Sequence, residues 1–341
     1  MRRKEASIDE WRELYGYATT LREMEPWNDF WDVELVSLQF SEDEEPIFFS
    51  ILGRGGSCFG ISCYQGLAGL NDFIMLVEQE KLGLTPEYAM FSQNNLTCYW
   101  GNRDELSTQQ YQIIKQLGYK YRGNNNWMYF HSFKAGYYPY NLDKEEVLQL
   151  TRYFAKLIEA IKYYRKNSIA VDFEQREAFS YYFDEVENEW LGKAMKLPIT
   201  DYSFSGLKLT DSQLIKKLGS AKKSNNVLEV DLAYFGVTIN DKKYVRPANP
   251  HMYLVADHKK GIMLKFQMTQ PDEDAGVALA GDIIGYIFEY GSPRKIIVRS
   301  RIVGSIIEDI CEICKIQIEM HRNLEVTDNF LYEFKKLQGL H

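Results

Sequence analysis

The loop Gly53-Arg54-Gly55-Gly56-Ser57 is the first stretch whose residue types suit a ligand. Its glycines let backbone amides converge and Arg54 adds a cation, so Arg54, Gly55 and Gly56 form a candidate anion-binding site. Phosphate-cradling loops normally open a helix whose N-terminus completes the site. Here the flanking runs, Ile47 to Leu52 and Cys58 to Tyr64, read as two strands. A hairpin turn with positive φ accounts for the glycines without a ligand.

Cys311-Glu312-Ile313-Cys314 has the spacing of a zinc or redox pair. A zinc site wants a second pair of ligands, and none stands near in sequence. A redox pair gains thiolate stabilisation at a helix start, whereas these two close a helix, so buried thiols are the simpler reading. Cys58 and Cys63 sit in a strand with no metal-like partner. Asp257-His258 has the composition of an acid/base pair, but the following Lys259-Lys260-Gly261 marks an exposed turn. Tyr163-Tyr164 and Tyr181-Tyr182 offer stacking platforms for bases, or rings of a core or its rim. The pairs Lys216-Lys217, Lys222-Lys223 and Lys242-Lys243 read as a solvated face. No Gly-x-Ser-x-Gly elbow, Walker loop, dinucleotide fingerprint or HExxH is present.

These groups are spread over 341 residues, 45% hydrophobic and 26% charged, an ordinary globular balance with room for two domains. The net charge of −8 argues against a generally basic nucleic-acid coat or a polybasic membrane binder. The basic start, Met1-Arg2-Arg3-Lys4, leads into a polar amphipathic segment, so no secretory signal is expected. No run reaches the ~18–20 apolar residues of a membrane span. The best, Ala275 to Phe288, is short and carries Asp282. Five cysteines, an odd and sparse number, fit a reduced cytoplasmic chain.

The elements follow from local signals. Ser7-Ile8-Asp9-Glu10 is a capping box, and Trp11, Leu14, Tyr15, Ala18 and Leu21 then fall on one helical face until Pro26. Strands are expected over Val33 to Phe40, Ile47 to Leu52 and Cys58 to Tyr64, then a helix from Leu67 to Leu82 stopped by Gly83. Ala89 to Ser92 and Leu96 to Trp100 read as a hairpin across Gln93-Asn94-Asn95. Ser107 caps a helix to Leu117, Trp127 to Phe133 is a strand, and Asp143 to Lys166 is the longest helix. Ala178 to Val186 and Trp190 to Leu197 form a closing hairpin. This makes an α+β domain over residues 1–198. Pro198 to Gly206 is the expected boundary, because the charge balance also changes there. From Ile199 onward 19 Lys and Arg stand against 18 Asp and Glu, and before it 21 against 30.

The second domain, residues 207–341, has a more telling order. Strands at Val227 to Ile239, His251 to Asp257 and Ile262 to Met268 precede a helix over Asp272 to Tyr290. Lys295 to Arg299 is a strand, Ile302 to Cys314 a helix, Ile316 to Met320 a strand and Thr327 to Leu337 a helix. This β-β-β-α-β-α-β-α order resembles the ribonuclease-H-like fold, an α/β domain whose mixed sheet is covered by helices on both faces. The whole chain also resembles an uncharacterised bacterial family of unknown function. The residues that carry this likeness are Trp11-x-x-Leu14-Tyr15, Pro26-Trp27, Gly53-Arg54-Gly55-Gly56 and Pro293-x-x-Ile296-x-Val298-Arg299.

The fold resemblance implies a definite chemistry. Active ribonuclease-H-like nucleases hold two divalent metals with three or four carboxylates, since Mg²⁺ wants oxygen ligands. Asp231 stands where the anchor carboxylate would be, and Glu229 points to the same face. The first helix offers Asp274 and Asp282, and the last offers Asp328, which with Thr327 also suits a helix cap. The fourth strand should end in an acid, but here it reads Ile296-Ile297-Val298-Arg299-Ser300-Arg301. A cation repels Mg²⁺, and if Arg299 meets Asp231 the outcome is an ion pair. The expectation is therefore a non-catalytic binding or interaction protein without a cofactor or metal. Its partner, protein or nucleic acid, is unspecified, and the Tyr- and Trp-rich surface of the first domain is the contact region. The alternative is a divergent metal-dependent nuclease or mobile-element-related enzyme using Mg²⁺ at Asp231, Asp282 and Asp328.

Overall fold

The computed structural model describes residues 3–337 apart from 235 and 237. Two compact units emerge. The first contains Met1–Val77, Gln93–Lys134 and Pro139–Tyr202; the second contains Glu78–Ser92, Ala135–Tyr138 and Ser203–His341. Besides the change-over near residue 202, two earlier stretches fold with the second unit, which linker composition alone does not reveal.

Helix α1 (Ile8–Met24) starts where Ser7 Oγ accepts from the Glu10 amide and Glu10 reaches back to the Ser7 amide. Its buried stripe is Trp11, Leu14, Tyr15, Ala18 and Leu21. Strands β1 (Val36–Gln39), β2 (Ile47–Leu52) and β3 (Phe59–Gln65) follow, and β2 and β3 pair antiparallel across the glycine loop. Helix α2 (Gly66–Val77) comes next. The expected helix to Leu82 is broken at Glu78, where the backbone leaves helical geometry and a short α3 (Gln79–Leu82) begins in the second unit.

The strand expected over Ala89 to Ser92 is instead the end of a helix, α4 (Pro86–Phe91). Thr85 caps it, accepting from the Tyr88 amide at 3.2 Å, and Pro86 sits in the first turn where its missing N–H is not needed. The helix seats Tyr88 against Tyr234 and His251, at 5.8 and 5.6 Å between ring centres. Burial pushes the His251 imidazole down to about 4, against a weaker upward pull from Asp274. Thr85→Ala should cost about 1 kcal/mol, read as a lower urea midpoint at unchanged slope. An unmoved midpoint would mean that packing alone holds α4.

The first unit continues with β4 (Asn95–Gly101), α5 (Thr108–Leu117), β5 (Trp127–Phe133), α6 (Lys144–Asn167), β6 (Glu177–Asp184) and β7 (Glu189–Lys196). Its seven-stranded sheet has the order β5-β4-β3-β2-β1-β6-β7. All neighbours are antiparallel except β1 and β6. One face packs on α1, α5 and α6 through Trp11, Phe49, Ile61, Trp100, Phe130 and Phe154. The other carries α2, with Leu70, Phe73 and Ile74 against Phe48 and Tyr64.

The second unit adds α7 (Ser212–Gly219), β8 (Val227–Tyr234), β9 (His251–Asp257), β10 (Ile262–Met268), α8 (Ala275–Tyr290), β11 (Lys295–Val298), α9 (Arg301–Cys314), β12 (Gln317–Met320) and α10 (Glu325–Leu337). From β8 onward the element order is the expected one. The strand expected to run on to Ile239 ends at Tyr234, and residues 235 and 237 lie outside the described ones, as does His341. The sheet order is β10-β9-β8-β11-β12. Strands β8, β11 and β12 run parallel, and β9 is antiparallel to both its neighbours. The chain is thus a mixed α/β protein with two mixed sheets. No helix among the described residues is long and apolar enough to cross a membrane.

Candidate site on the second sheet

Strand β8 sorts its side chains by alternation. Val230 and Leu232 join Tyr253 and Val255 in the core under α8 and α9. Glu229 and Asp231 point to the opposite face, where Met252 and Leu254 meet Phe330, Leu331 and Phe334 of α10. On β11, Ile297 lies beside Glu229 and Val298 beside Val230, so the next residue, Arg299, arrives next to Asp231.

Arg299 Nε donates to Asp231 Oδ2 at 2.8 Å, and Arg299 Nη2 donates to Asp328 Oδ1. The other Asp328 oxygen accepts from the Leu324 amide at 2.9 Å, so Asp328 ties the start of α10 to the end of β11. Asp231 is 2% exposed, and its Oδ1 has no hydrogen-bond partner among the described residues. Desolvation pushes the Asp231 carboxyl up to about 6, and the adjacent guanidinium offsets only part of that rise. Burial works against charge on Arg299 as well, but Asp231 and Asp328 more than reverse it and raise its pKa. The three groups form a salt-bridged triad.

Glu229 is almost fully buried and well satisfied. Its Oε2 accepts from the Val326 and Thr327 amides, both at 3.0 Å, and from Thr327 Oγ1 at 3.3 Å. Its Oε1 lies 2.6 Å from His258 Nδ1. This is a carboxylate set into the N-terminus of a helix, where orphan amides and the dipole favour it. The Asp257-His258 pairing is not made. Asp257 instead accepts from the amides of Lys259 and Lys260, at 3.1 and 3.0 Å.

Asp282 is not brought to Asp231. It accepts from Tyr253 OH and from Lys265 Nζ, the latter at 2.6 Å. Tyr253 faces Leu232 across the strands, so Asp282 lies on the α8 side of the sheet and Asp231 on the α10 side. Asp274 caps α8 through the Gly276 and Val277 amides. Among the described residues no three His, Cys, Asp or Glu side chains are grouped to hold a metal ion.

The other sequence candidates resolve individually. In the glycine loop the Gly56 amide donates to Gly53 O at 2.9 Å, and both glycines have positive φ, +79° and +132°. Arg54 lies over the Trp31 ring at 4.8 Å and 3.9 Å from Glu34, in a hairpin connection that leads to a strand. Gly55 stands exposed between them. Cys311 and Cys314 are buried, and burial pushes the Cys311 thiol up to about 12, which is an unreactive state. Tyr163 packs on Tyr181, Tyr164 on Phe30, and Tyr182 lies beneath Lys193.

One constellation escaped the sequence reading. Ser50, Ser62 and Thr97 stand directly opposite one another on β2, β3 and β4 and line a pocket of about 360 Å³ in the first unit. Ser62 and Thr97 share a 2.9 Å hydrogen bond, Thr97 donates to Asn95, and Asn95 to Gln93. A serine inside each of the apolar runs of β2 and β3, and Asn95 and Thr97 at alternate positions of β4, carry the signal, but their alignment depends on register between strands.

The fold and the triad define a class: a mixed α/β protein with two mixed sheets, the second carrying Arg299 salt-bridged between Asp231 and Asp328. Residues 11–181 match the family model described as Domain of unknown function (DUF7309). That is half of the chain, and the chain belongs to this family. Residues 214–335 match a second model, described as Domain of unknown function (DUF6930). Comparison with curated proteins gives no match. Among solved structures, the catalytic core domain of BIV integrase is similar at 11% identity over 33% of this chain and 66% of its own, with a TM-score of 0.24. A simian T-cell lymphotropic virus intasome in complex with PP2A regulatory subunit B56 gamma is similar at 14% identity over 34% of this chain and 43% of its own, also with a TM-score of 0.24. At such scores neither likeness carries weight for this chain.

Proposed function

We propose that the chain is a cytoplasmic, non-catalytic binding or interaction protein, and that its second unit is a degenerate ribonuclease-H-like domain. Support for the fold reading comes from the β-β-β-α-β-α-β-α order and the β10-β9-β8-β11-β12 sheet. The observation that carries the functional reading is Arg299 held between Asp231 and Asp328. A divalent ion there would have to displace a half-buried, doubly paired guanidinium against the repulsion of its charge, and Asp282, on the other face, does not complete an oxygen set.

The test is cleavage of DNA, RNA and hybrid substrates with Mg²⁺ or Mn²⁺, using Asp231→Asn as control. The expected result is no cleavage above the control and no rise in melting temperature with either ion. Metal-dependent cleavage that disappears in Asp231→Asn would replace this reading with the nuclease one.

A further inference from the structure

The carboxyl ends of the parallel strands β11 and β12 open onto a cleft of about 680 Å³ within the second unit. Ligands of open α/β sheets bind outside the carboxyl ends of the strands. The charged residues of its lining are Glu80, Lys81, Arg299, Arg301 and Arg322, with the His321 imidazole beside them. Among the described lining residues Glu80 is the one acid. Lys81 pairs with Glu78 at 2.9 Å, and Arg299 is spent on Asp231 and Asp328. Arg301 and Arg322 are exposed, and the Arg301 guanidinium leans on the Phe204 ring at 5.4 Å, a contact that leaves its charge unneutralised.

The walls are fixed. Gly83, with φ +69°, ends α3 so close to Arg299 that a Cβ there would run into the Arg299 carbonyl. Ser300 caps α9, which starts at Arg301, so the positive end of a 14-residue helix adjoins the same cations.

We infer that this cleft binds the phosphate group of a small phosphate-bearing molecule through Arg301 and Arg322. The volume suits a small ligand. Among the described residues the lining holds no Phe, Tyr or Trp ring to stack a base, and His321 is its one aromatic side chain, so the phosphate end is what the cations recognise. The chain's net charge of −8 disfavours a long polyanion. The inference rests on the metal-free reading of the neighbouring acids.

The experiment titrates the full chain with inorganic pyrophosphate by calorimetry, at low salt with EDTA present. One saturable site is expected, weakened about tenfold or more in Arg301→Ala/Arg322→Ala. Both side chains are exposed, and an unchanged melting temperature of the variant will show that it folds. Absence of binding, or equal affinity in the double variant, overturns the inference. A single-stranded oligonucleotide that binds where pyrophosphate does not also overturns it, in favour of a polyanion surface. Metal-dependent cleavage would sink the metal-free reading separately, since EDTA removes the ions from the pyrophosphate titration.

Discussion

Arg299→Ala is expected to lower the unfolding free energy by about 3–5 kcal/mol at pH 7, because it leaves a buried carboxylate without its partner. The wild-type Asp231 carboxyl already sits at about 6, raised by desolvation, whereas an unfolded aspartate titrates near ~3.9. Between those values the folded chain binds more protons than the unfolded one. The stability from this group is therefore full at low pH and is lost as pH rises through about 6. Without Arg299 the carboxyl climbs further, so the variant's deficit is largest at neutral pH and shrinks toward about pH 5. Urea melts of both proteins at the two pH values measure this. A deficit that stays constant or grows on acidification would show that Asp231 is not the strained group. A volume-matched Asp231→Leu/Arg299→Met double variant should recover most of the loss, as buried ion pairs exchanged for apolar pairs commonly do.

Glu229→Ala should cost a similar amount, about 3–5 kcal/mol, since it orphans the Val326 and Thr327 amides at the start of α10 and removes the partner of His258, while the Thr327 hydroxyl keeps Leu324 O. The loss should be local at first. Amide exchange at Val326 and Thr327 should accelerate well before that of Leu228 and Val230 in the strand core. Glu229→Gln is the informative partner. Its carbonyl can take the place of Oε2, and its NH₂ faces His258 Nδ1, which then accepts. A cost of only about 1–2 kcal/mol is expected there. Equal losses for the two variants, or unchanged exchange at residues 326 and 327, would rule out the helix-anchoring role.

Much of the architecture was legible because it is written locally. The strands Ile47–Leu52, Trp127–Phe133, His251–Asp257 and Ile262–Met268 are short apolar or aromatic-rich runs bounded by turn residues. Helices α1, α5 and α6 begin at capping boxes, and Gly118 stops α5. The failure at Ala89 has the same origin. The short run Ala89 to Ser92 looks strand-like by itself, but the Thr85 cap and Pro86 in the first turn start a helix that runs through it. What the sequence hid is non-local. The meeting of Arg299 with Asp231 is reached through the fold resemblance alone, and the structure makes it because β8 and β11 are parallel neighbours. Asp282 on the far face, and His258 turned to Glu229 rather than Asp257, follow from register and from which helix covers which side. The aligned hydroxyls of Ser50, Ser62 and Thr97 come from three strands and cannot be read from any one of them.

The single parallel junction of the first sheet also bears on how that sheet assembles. Strands β2 to β5 pair with successive neighbours, and β6 with β7 forms another short-range hairpin. Val36 of β1, by contrast, meets Phe179 of β6 only after the chain has travelled through every strand and helix between them. Closing that seam carries the large loop entropy of the unit, so the two hairpin blocks should form fast and the β1–β6 contact should set the slow step.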